Sequence, residues 1–213
     1  MPRVLIFGDS ITWGASDPEG GWTARLRKWV DERMYKDGRF DYPIYNLGVS
    51  GDKTEDLLKH FDVEVTARLV KDDHKPIIIF AIGTNDSQYL ESEQRKRVTS
   101  EQFTKNIQEL IAKARGYSGK IIFIGLLPVD EAKTIPVPWA PEKSYKNEHV
   151  KEFDDIIKSQ CQQNDISFVD IFSYFSSKSF KVLLEDGLHP NAEGHQKLFE
   201  KIRDFLTENR VIA

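Results

Sequence analysis

Three residues that together can carry out nucleophilic chemistry lie near the two ends of this sequence. Ser10 follows a short apolar run near the start, and Asp186 and His189 stand three residues apart near residue 190. A serine hydroxyl is a weak nucleophile until an imidazole takes its proton, and the imidazole needs an acid to orient it. We therefore predict Ser10 as the nucleophile, His189 as its base and Asp186 as the orienting acid.

Two further residues suit the charge that this chemistry would create. A carbonyl attacked by a serine becomes an oxyanion, which needs hydrogen-bond donors. Gly51 and Asn85 both follow predicted strands, as Ser10 does. We predict that the oxyanion is bound by the backbone N–H groups of Ser10 and Gly51 and by the side-chain amide of Asn85. Gly51 suits this role because it has no side chain to block the approach to its N–H.

Two aspartates stand beside the predicted nucleophile and the predicted side-chain oxyanion donor. We predict that Asp9 and Asp86 support these turns by accepting hydrogen bonds from backbone N–H groups. An alternative is a magnesium site formed by Asp9, Asp86 and Asp186, because hard cations prefer carboxylate ligands. That alternative leaves His189 and Asn85 without a role, so we predict no metal and no cofactor.

Five apolar runs separated by segments with helical periodicity predict the scaffold. This alternation favours a doubly wound, flavodoxin-like parallel sheet with helices on both faces, in one three-layer α/β/α domain covering residues 1–213. The favoured strand order is 2-1-3-4-5, and the turns at the carboxyl ends of the strands then meet at one edge, where such sheets bind ligands. The predicted strands cover residues 3–7, 43–48, 76–82, 120–126 and 166–171.

Capping residues predict several helix boundaries. Asp52 with Glu55, and Thr99 with Gln102, have the spacing of a capping box. The first of these helices is predicted to reach about residue 70. Asn191 is predicted to cap the last helix, whose apolar stripe follows it.

The segment 128–141 holds four prolines and Trp139, so it cannot form a regular helix or an inner strand. We predict a long loop here, with helix resuming near Glu142. Long loops at the carboxyl end of a strand are often functional, and equally often plain connectors. Trp13 and Trp139 are predicted to line the substrate pocket, although an aromatic side chain near a loop as often serves packing.

Composition and charge restrict the partners of the chain. Thirty Lys and Arg residues against 34 Asp and Glu give a formal net charge of −4, which offers no electrostatic reason to expect a nucleic acid or a membrane. The apolar runs are too short to span a bilayer, and the start of the chain lacks the pattern of a signal peptide. We therefore expect a cytoplasmic protein that binds a small molecule, and the sequence leaves its oligomeric state open.

The remaining candidate residues are predicted to be structural. Cys161 is the only cysteine, which excludes an intramolecular disulfide, and it lies in an amphipathic stretch where a small packed residue is expected. Four histidines lie in polar helical or loop segments, and we expect them at the surface: His60, His74, His149 and His195.

Four short blocks combine the candidate residues. They are Gly8-Asp9-Ser10, Gly51, Gly83-x-Asn85-Asp86 and Asp186-x-x-His189-Pro190. In this order they resemble the motifs of the SGNH hydrolases, the GDSL-type esterases and lipases, over residues 8–190. Ile11 stands where the family name has leucine, a change that affects no reacting group.

The resemblance implies the roles that the residue chemistry suggests for the triad and the oxyanion donors. It also implies a serine carboxylic-ester hydrolase that forms an acyl-enzyme on small or short-acyl esters, acetyl groups on carbohydrates among them. An acyl-thioesterase or an acyltransferase with the same triad is an alternative. A binding module that keeps the fold without turnover is another, and the complete set of catalytic residues speaks against it.

Overall fold

A five-stranded parallel sheet forms the centre of the protein and confirms the predicted fold class. The computed structural model describes residues 2–38, 42–69, 74–176 and 179–212. The order across the central sheet is the predicted 2-1-3-4-5 when its strands alone are counted. The strands in these ranges are β1 (Val4–Gly8), β2 (Ile44–Gly48), β3 (Ile77–Ala81), β4 (Tyr89–Leu90), β5 (Arg95–Lys96), β6 (Lys120–Ile124), β7 (Lys143–Ser144) and β8 (Ser167–Val169).

Helices cover both faces of the sheet β2-β1-β3-β6-β8. Helices α2 and α8 pack together on one face, and α3, α4 and α6 pack on the other. No helix in the described ranges is long and apolar enough to cross a bilayer. The helices are α1 (Ser10–Trp13), α2 (Gly21–Asp37), α3 (Thr54–Arg68), α4 (Ser100–Tyr117), α5 (Glu131–Thr134), α6 (Asn147–Gln163), α7 (Phe172–Phe175) and α8 (Ala192–Glu208), with a 3₁₀ helix at Phe180–Leu183.

Strand β1 is apolar throughout because each of its faces packs on a separate core. In β1, Leu5 and Phe7 point into the core beneath α3, α4 and α6. Val4 and Ile6 point into the core beneath α2 and α8. All four side chains are fully buried. Burial on both faces explains why a parallel sheet leaves continuous apolar runs in the sequence.

The start of α3 differs from the prediction. Lys53, not Asp52, is the N-cap residue, and the carboxylate of Asp56 accepts from the Lys53 N–H at 3.4 Å. Asp52 instead lies 2.8 Å from Nε2 of His60. The Asp52 N–H donates to the Val49 carbonyl at 3.1 Å, so Asp52 belongs to the turn before the helix. The predicted helix end, Val70, lies outside the described residues.

Two other predicted caps are present. The hydroxyl of Thr99 accepts from the Gln102 N–H at 3.2 Å and begins α4. The side-chain oxygen of Asn191 accepts from the Gly194 N–H at 3.0 Å and begins α8. Both residues therefore satisfy a backbone donor that the helix itself leaves free.

The region after β6 is more ordered than the predicted loop, and helix does not resume at Glu142. It contains α5 and then β7, and α6 begins only at Asn147. The reason is a second, antiparallel sheet with the order β5-β4-β7, which the sequence analysis missed. Ser144 pairs with Tyr89 in this sheet, so the backbone after Glu142 is extended and not helical.

His195 is a second correction, because it is fully buried and not at the surface. Its Nδ1 accepts from the Trp22 N–H at 3.3 Å, and its Nε2 lies 3.0 Å from the carbonyl of Ala15. The ring thus joins the loop before α2 to the first turn of α8. His74 is exposed, and His60 and His149 are partly buried.

Asp154 of α6 holds the start of the segment that leaves β6. Its Oδ1 accepts from the Leu126 N–H at 2.9 Å, and the residue is 2% exposed. Burial raises the pKa of Asp154 from 3.8 to about 6. Between about pH 4 and 6 the native state therefore keeps a proton that the unfolded chain has lost, so this group lowers the free energy of unfolding as the pH rises through that window.

We expect Asp154→Asn to remove this pH dependence. The amide oxygen can still accept from Leu126, while the charge is lost. A shift of about two pKa units corresponds to about 3 kcal/mol, so the variant should gain up to about that much relative to wild type between pH 4 and pH 7. Urea unfolding at both pH values measures this gain.

The exposed Asp165, in the turn after α6, supplies the control. We expect the free energy of unfolding of Asp165→Asn to follow that of wild type at both pH values. A difference between Asp154→Asn and wild type that is equal at pH 4 and pH 7 would contradict the assignment of a raised pKa to Asp154.

Candidate active site

The predicted nucleophile, base and acid meet at the carboxyl edge of the sheet. Ser10 Oγ lies 2.8 Å from His189 Nε2, and His189 Nδ1 lies 2.7 Å from Asp186 Oδ2. Ser10 and Asp186 are therefore joined through His189, which lies 179 residues from Ser10 in sequence, by one series of hydrogen bonds. This geometry allows the imidazole to take a proton from the hydroxyl while the carboxylate stabilises the resulting cation.

The turn after β1 is built around glycine and a buried aspartate. A Cβ atom at Gly8 would lie 2.1 Å from Thr12 Oγ1 and 2.3 Å from the carbonyl of Ala81, so only glycine fits this close approach. Asp9 accepts from the Ile11 N–H at 3.0 Å and caps α1. Burial raises the pKa of Asp9 to about 6, although this hydrogen bond acts against the rise. Ser10 is consequently held as the first residue of a short, tightly packed helix.

Asp186, the acid that orients His189, also fixes the turn that carries His189. Asp186 Oδ1 accepts from the Leu188 N–H at 2.9 Å and from the His189 N–H at 2.8 Å, which leaves Oδ2 for the imidazole. Burial alone would raise the pKa of Asp186, but the hydrogen bonds from the ring and backbone of His189 outweigh burial and lower it to about 2. The carboxylate is therefore ionised throughout the range in which an esterase works.

The predicted oxyanion donors lie on three neighbouring turns. Gly51 is exposed and has a φ of +86°, a conformation in which other residues are strained. Asn85 Nδ2 donates to the carbonyl of Asp52 at 3.0 Å, which ties the turn after β3 to the turn that contains Gly51. Within the part of the chain that the structure describes, the N–H groups of Ser10 and Gly51 have no acceptor. One hydrogen of the Asn85 amide is also left for a ligand.

Asp86 supports the Asn85 turn through the neighbouring helix. Its carboxylate accepts from the Thr54 N–H at 3.1 Å and from the Thr54 hydroxyl at 2.5 Å, at the first residue of α3. Burial raises the pKa of Asp86 to about 6, and the Thr54 hydrogen bonds act against the rise. The contact holds the Asn85 turn against the segment that follows Gly51.

The three carboxylates of the alternative magnesium site are each occupied by other donors. Asp9 accepts a hydrogen bond from the Ile11 N–H, and Asp86 accepts from Thr54. Asp186 accepts from the backbone of its turn and from the His189 ring. Among the described residues, no group of three or more His, Cys, Asp or Glu side chains is arranged to hold a metal ion.

Both predicted pocket tryptophans are exposed near the triad. The ring of Trp139 stacks on His189 with a centroid distance of 6.4 Å, and Trp139 is 55% exposed. Trp13, 59% exposed, ends α1. It borders an open cleft of about 570 Å³. The other residues that line this cleft are Gly14, Ser16, Asp17, Pro18, Gly20 and Glu185.

The side chains that hold the oxygen of the Asn85 amide were not among the predicted site residues. The hydroxyl of Tyr145 donates to Asn85 Oδ1 at 2.9 Å, and Gln88 Nε2 donates to the Tyr145 oxygen at 2.9 Å. Tyr145 lies 60 residues from Asn85 in sequence. No local pattern predicts this contact, and only the pairing of two-residue strands would have revealed it.

Comparison with known proteins adds an independent observation. The profile of the GDSL-like Lipase/Acylhydrolase family matches residues 6–197, a range that includes every block of the triad and of the predicted oxyanion donors. Among known proteins, the chain is 27% identical to the isoamyl acetate-hydrolyzing esterase 1 homolog of Bos taurus over 218 residues, with 94% of this chain and 80% of that protein covered.

Solved structures share the fold at low sequence identity. The lipase/acylhydrolase from Enterococcus faecalis has a TM-score of 0.75 at 23% identity, with 98% of this chain and 97% of that chain covered. The acetyl xylan esterase AlAXEase has a TM-score of 0.76 at 20% identity, with 96% of this chain and 99% of that chain covered. At this identity the likeness establishes the architecture, and the chemistry has to be argued from the site.

Proposed function

The chain belongs to the GDSL-like lipase/acylhydrolase family and is a carboxylic-ester hydrolase of the GDSL/SGNH type, and we propose that it works through a covalent acyl-enzyme on Ser10. The observation that carries this proposal is the unbroken series of hydrogen bonds from Ser10 Oγ through His189 to Asp186. A serine, a base and an orienting acid at these distances are the arrangement that activates a hydroxyl for attack on a carbonyl.

In the proposed first step, His189 Nε2 takes the hydroxyl proton as Ser10 Oγ bonds to the ester carbonyl carbon. The carbonyl oxygen gains the negative charge and is bound by the N–H groups of Ser10 and Gly51 and by Asn85 Nδ2. Asp186 stabilises the protonated imidazole through Nδ1. Collapse of the intermediate breaks the bond to the alcohol, which leaves with the proton from His189, and the acyl group stays on Ser10.

In the proposed second step, water replaces the alcohol. His189, now neutral, takes a proton from water as the water oxygen bonds to the acyl carbon. The same donors bind the second oxyanion, and His189 returns the proton to Ser10 Oγ as the acid leaves. Atoms and charges balance without a metal or a redox cofactor.

We propose short acyl esters as the substrates, acetyl groups on carbohydrates among them. Trp139 covers one side of His189, and Ser10 and His189 are only partly buried. Their exposure gives water access to an acyl group on Ser10, which favours hydrolysis over transfer to another alcohol. The names of two relatives, an isoamyl acetate-hydrolyzing esterase homolog and an acetyl xylan esterase, both describe acetyl esters.

A series of p-nitrophenyl esters from acetate to decanoate tests this proposal. We expect kcat/KM to be highest for acetate or butyrate and to fall with longer chains, and we expect acetate release from an acetylated sugar. Highest turnover on decanoate would contradict the short-acyl proposal. Faster acyl transfer to an added alcohol than to water would favour the acyltransferase.

A further inference from the structure

We propose that Tyr145 is a positioning residue of the oxyanion site, which holds the Asn85 amide with its nitrogen toward the bound oxyanion. This inference rests on the proposed function, in which Asn85 Nδ2 is one of the donors. The Asn85 amide could otherwise rotate about the terminal torsion of the side chain. Two contacts restrain it: Nδ2 donates to the Asp52 carbonyl, and Oδ1 accepts from Tyr145, which is the side chain that fixes the oxygen.

Tyr145 belongs to a continuous row of hydrogen bonds, the Arg97–Gln88–Tyr145 row. Arg97 Nη1 donates to Gln88 Oε1 at 3.2 Å, and Gln88 Nε2 donates to the Tyr145 oxygen at 2.9 Å. The Tyr145 hydroxyl then donates its one hydrogen to Asn85 Oδ1 at 2.9 Å. The row ends where Asn85 Nδ2 donates to the carbonyl of Asp52.

Both ends of this row have a fixed polarity. A guanidinium has donors only, so Arg97 requires the oxygen of Gln88 and turns the Gln88 nitrogen toward Tyr145. A backbone carbonyl only accepts, so Asp52 requires the nitrogen of Asn85. Tyr145 accepts from Gln88 and donates to Asn85 through a single oxygen, and it therefore transmits the orientation set by Arg97 to Asn85.

The second sheet, β5-β4-β7, explains why Arg97, Gln88 and Tyr145 lie side by side. In the antiparallel pairing of β4 with β7, Tyr89 faces Ser144, and in the pairing of β4 with β5, Tyr89 faces Lys96. One residue beyond these pairs, Gln88 lies between Tyr145 on one side and Arg97 on the other. The Arg97 N–H also donates to the Gln88 carbonyl at 2.6 Å, which extends the pairing to this row.

Tyr145 is buried and fixed in position, so it can restrain Asn85 permanently. It is 3% exposed, and its backbone is fixed by two hydrogen bonds with Thr134, from the Tyr145 N–H at 3.0 Å and from the Thr134 hydroxyl at 2.9 Å. Burial raises the pKa of Tyr145, and the charge of Asp9 adds to the rise, so the phenol keeps its proton. The hydroxyl can thus donate to Asn85 at every pH at which the enzyme works.

Tyr145→Phe removes the hydroxyl and keeps the ring. We expect kcat for p-nitrophenyl acetate to fall about tenfold, less than the fall of about 10² to 10³ expected for Asn85→Ala, because the amide becomes mobile but is not lost. KM should change by less than about twofold, since the donor acts on charge that develops only in the transition state. Tyr117→Phe, at a partly buried tyrosine of α4 far from the row, is the matched control and should leave kcat unchanged.

A double variant separates positioning from a general structural role. If Tyr145 acts through Asn85, adding Tyr145→Phe to Asn85→Ala should change kcat by less than about twofold. Multiplied effects of the two substitutions would overturn the proposal. The proposed function has its own test in the same set, because turnover retained by Ser10→Ala would refute the serine mechanism, whatever Tyr145 does.

Gln88→Glu tests the polarity of the row with little change of shape, in case Tyr145→Phe does not fold. A carboxylate at position 88 still accepts from Arg97 but cannot donate to Tyr145. The phenol would then donate to Glu, and Asn85 Oδ1 would lose its partner. We expect kcat of Gln88→Glu to fall about tenfold with an unchanged melting temperature. The same substitution added to Asn85→Ala should leave kcat unchanged. Full activity of Gln88→Glu would contradict the proposal.

Discussion

Ser10→Ala is expected to lower kcat for p-nitrophenyl acetate about 10⁶-fold. Without the hydroxyl no acyl-enzyme can form, and His189 is left with no proton to take. Any remaining rate would come from water attacking an ester bound by the oxyanion donors, and this rate should exceed the uncatalysed reaction by no more than about 10³ to 10⁴-fold. Initial rates measured with wild-type and variant enzyme at saturating ester give the comparison.

The fold should not change in this variant. One hydrogen bond, from Ser10 Oγ to His189 Nε2, is lost, so we expect the free energy of unfolding to change by about 1 kcal/mol or less. Ser159→Ala, at a partly exposed serine of α6, is the matched control and should retain full activity. A Ser10→Ala protein that is folded and turns over esters at even a tenth of the wild-type rate would exclude Ser10 as the nucleophile.

The second large effect is expected for Asp186→Asn, with a fall in kcat of about 10⁴-fold. The amide oxygen of the variant can still accept from the N–H groups of Leu188 and His189, so the turn is kept. The amide nitrogen then faces His189 Nδ1 and donates to it. That contact moves the imidazole proton to Nε2, where the base can no longer accept from Ser10.

Steady-state kinetics and thermal unfolding distinguish this tautomer effect from a loss of structure. We expect the melting temperature of Asp186→Asn to stay close to that of wild type, because the backbone contacts remain. Asp31→Asn, at the surface of α2, removes the same charge away from the site and should leave kcat unchanged. A fall in kcat of less than about tenfold for Asp186→Asn would show that Asp186 does not orient the base.

The central sheet was predictable because its physical cause is local in the sequence. Strands β1 and β3 are buried on both faces, so runs such as Ile77–Ala81 are apolar without interruption. The turns that follow such strands carry Ser10, Gly51 and Asn85, and parallel pairing brings these turns to one edge. The sequence therefore predicted which residues meet, and the structure brings Ser10, His189 and Asp186 into contact.

The second sheet was not predictable in the same way. Its strands are two residues long, too short for any periodicity to be visible. Tyr145 and Gln88 meet only because β7 pairs with β4 across more than fifty residues of chain. A tyrosine beside a proline-rich loop gives no sign of the hydrogen bond that it makes to Asn85.

His195 shows why burial of polar residues is difficult to predict. Polar and charged residues stand beside it in the sequence, which favours a surface position. It is buried because the Trp22 N–H and the Ala15 carbonyl satisfy both of its ring nitrogens. A buried histidine of this kind depends on partners about 180 residues away, and these partners are known only once the chain has folded.

Covalent labelling tests the central claim, that Ser10 is the acylated nucleophile, most directly. The wild-type protein would be treated with a serine-directed p-nitrophenyl phosphonate, digested and mapped by mass spectrometry, with ester hydrolysis followed in parallel. We predict one adduct per chain, on the peptide that contains Ser10, and loss of hydrolysis in proportion to labelling. An adduct on another residue, or hydrolysis that continues after Ser10 is fully labelled, would contradict the account.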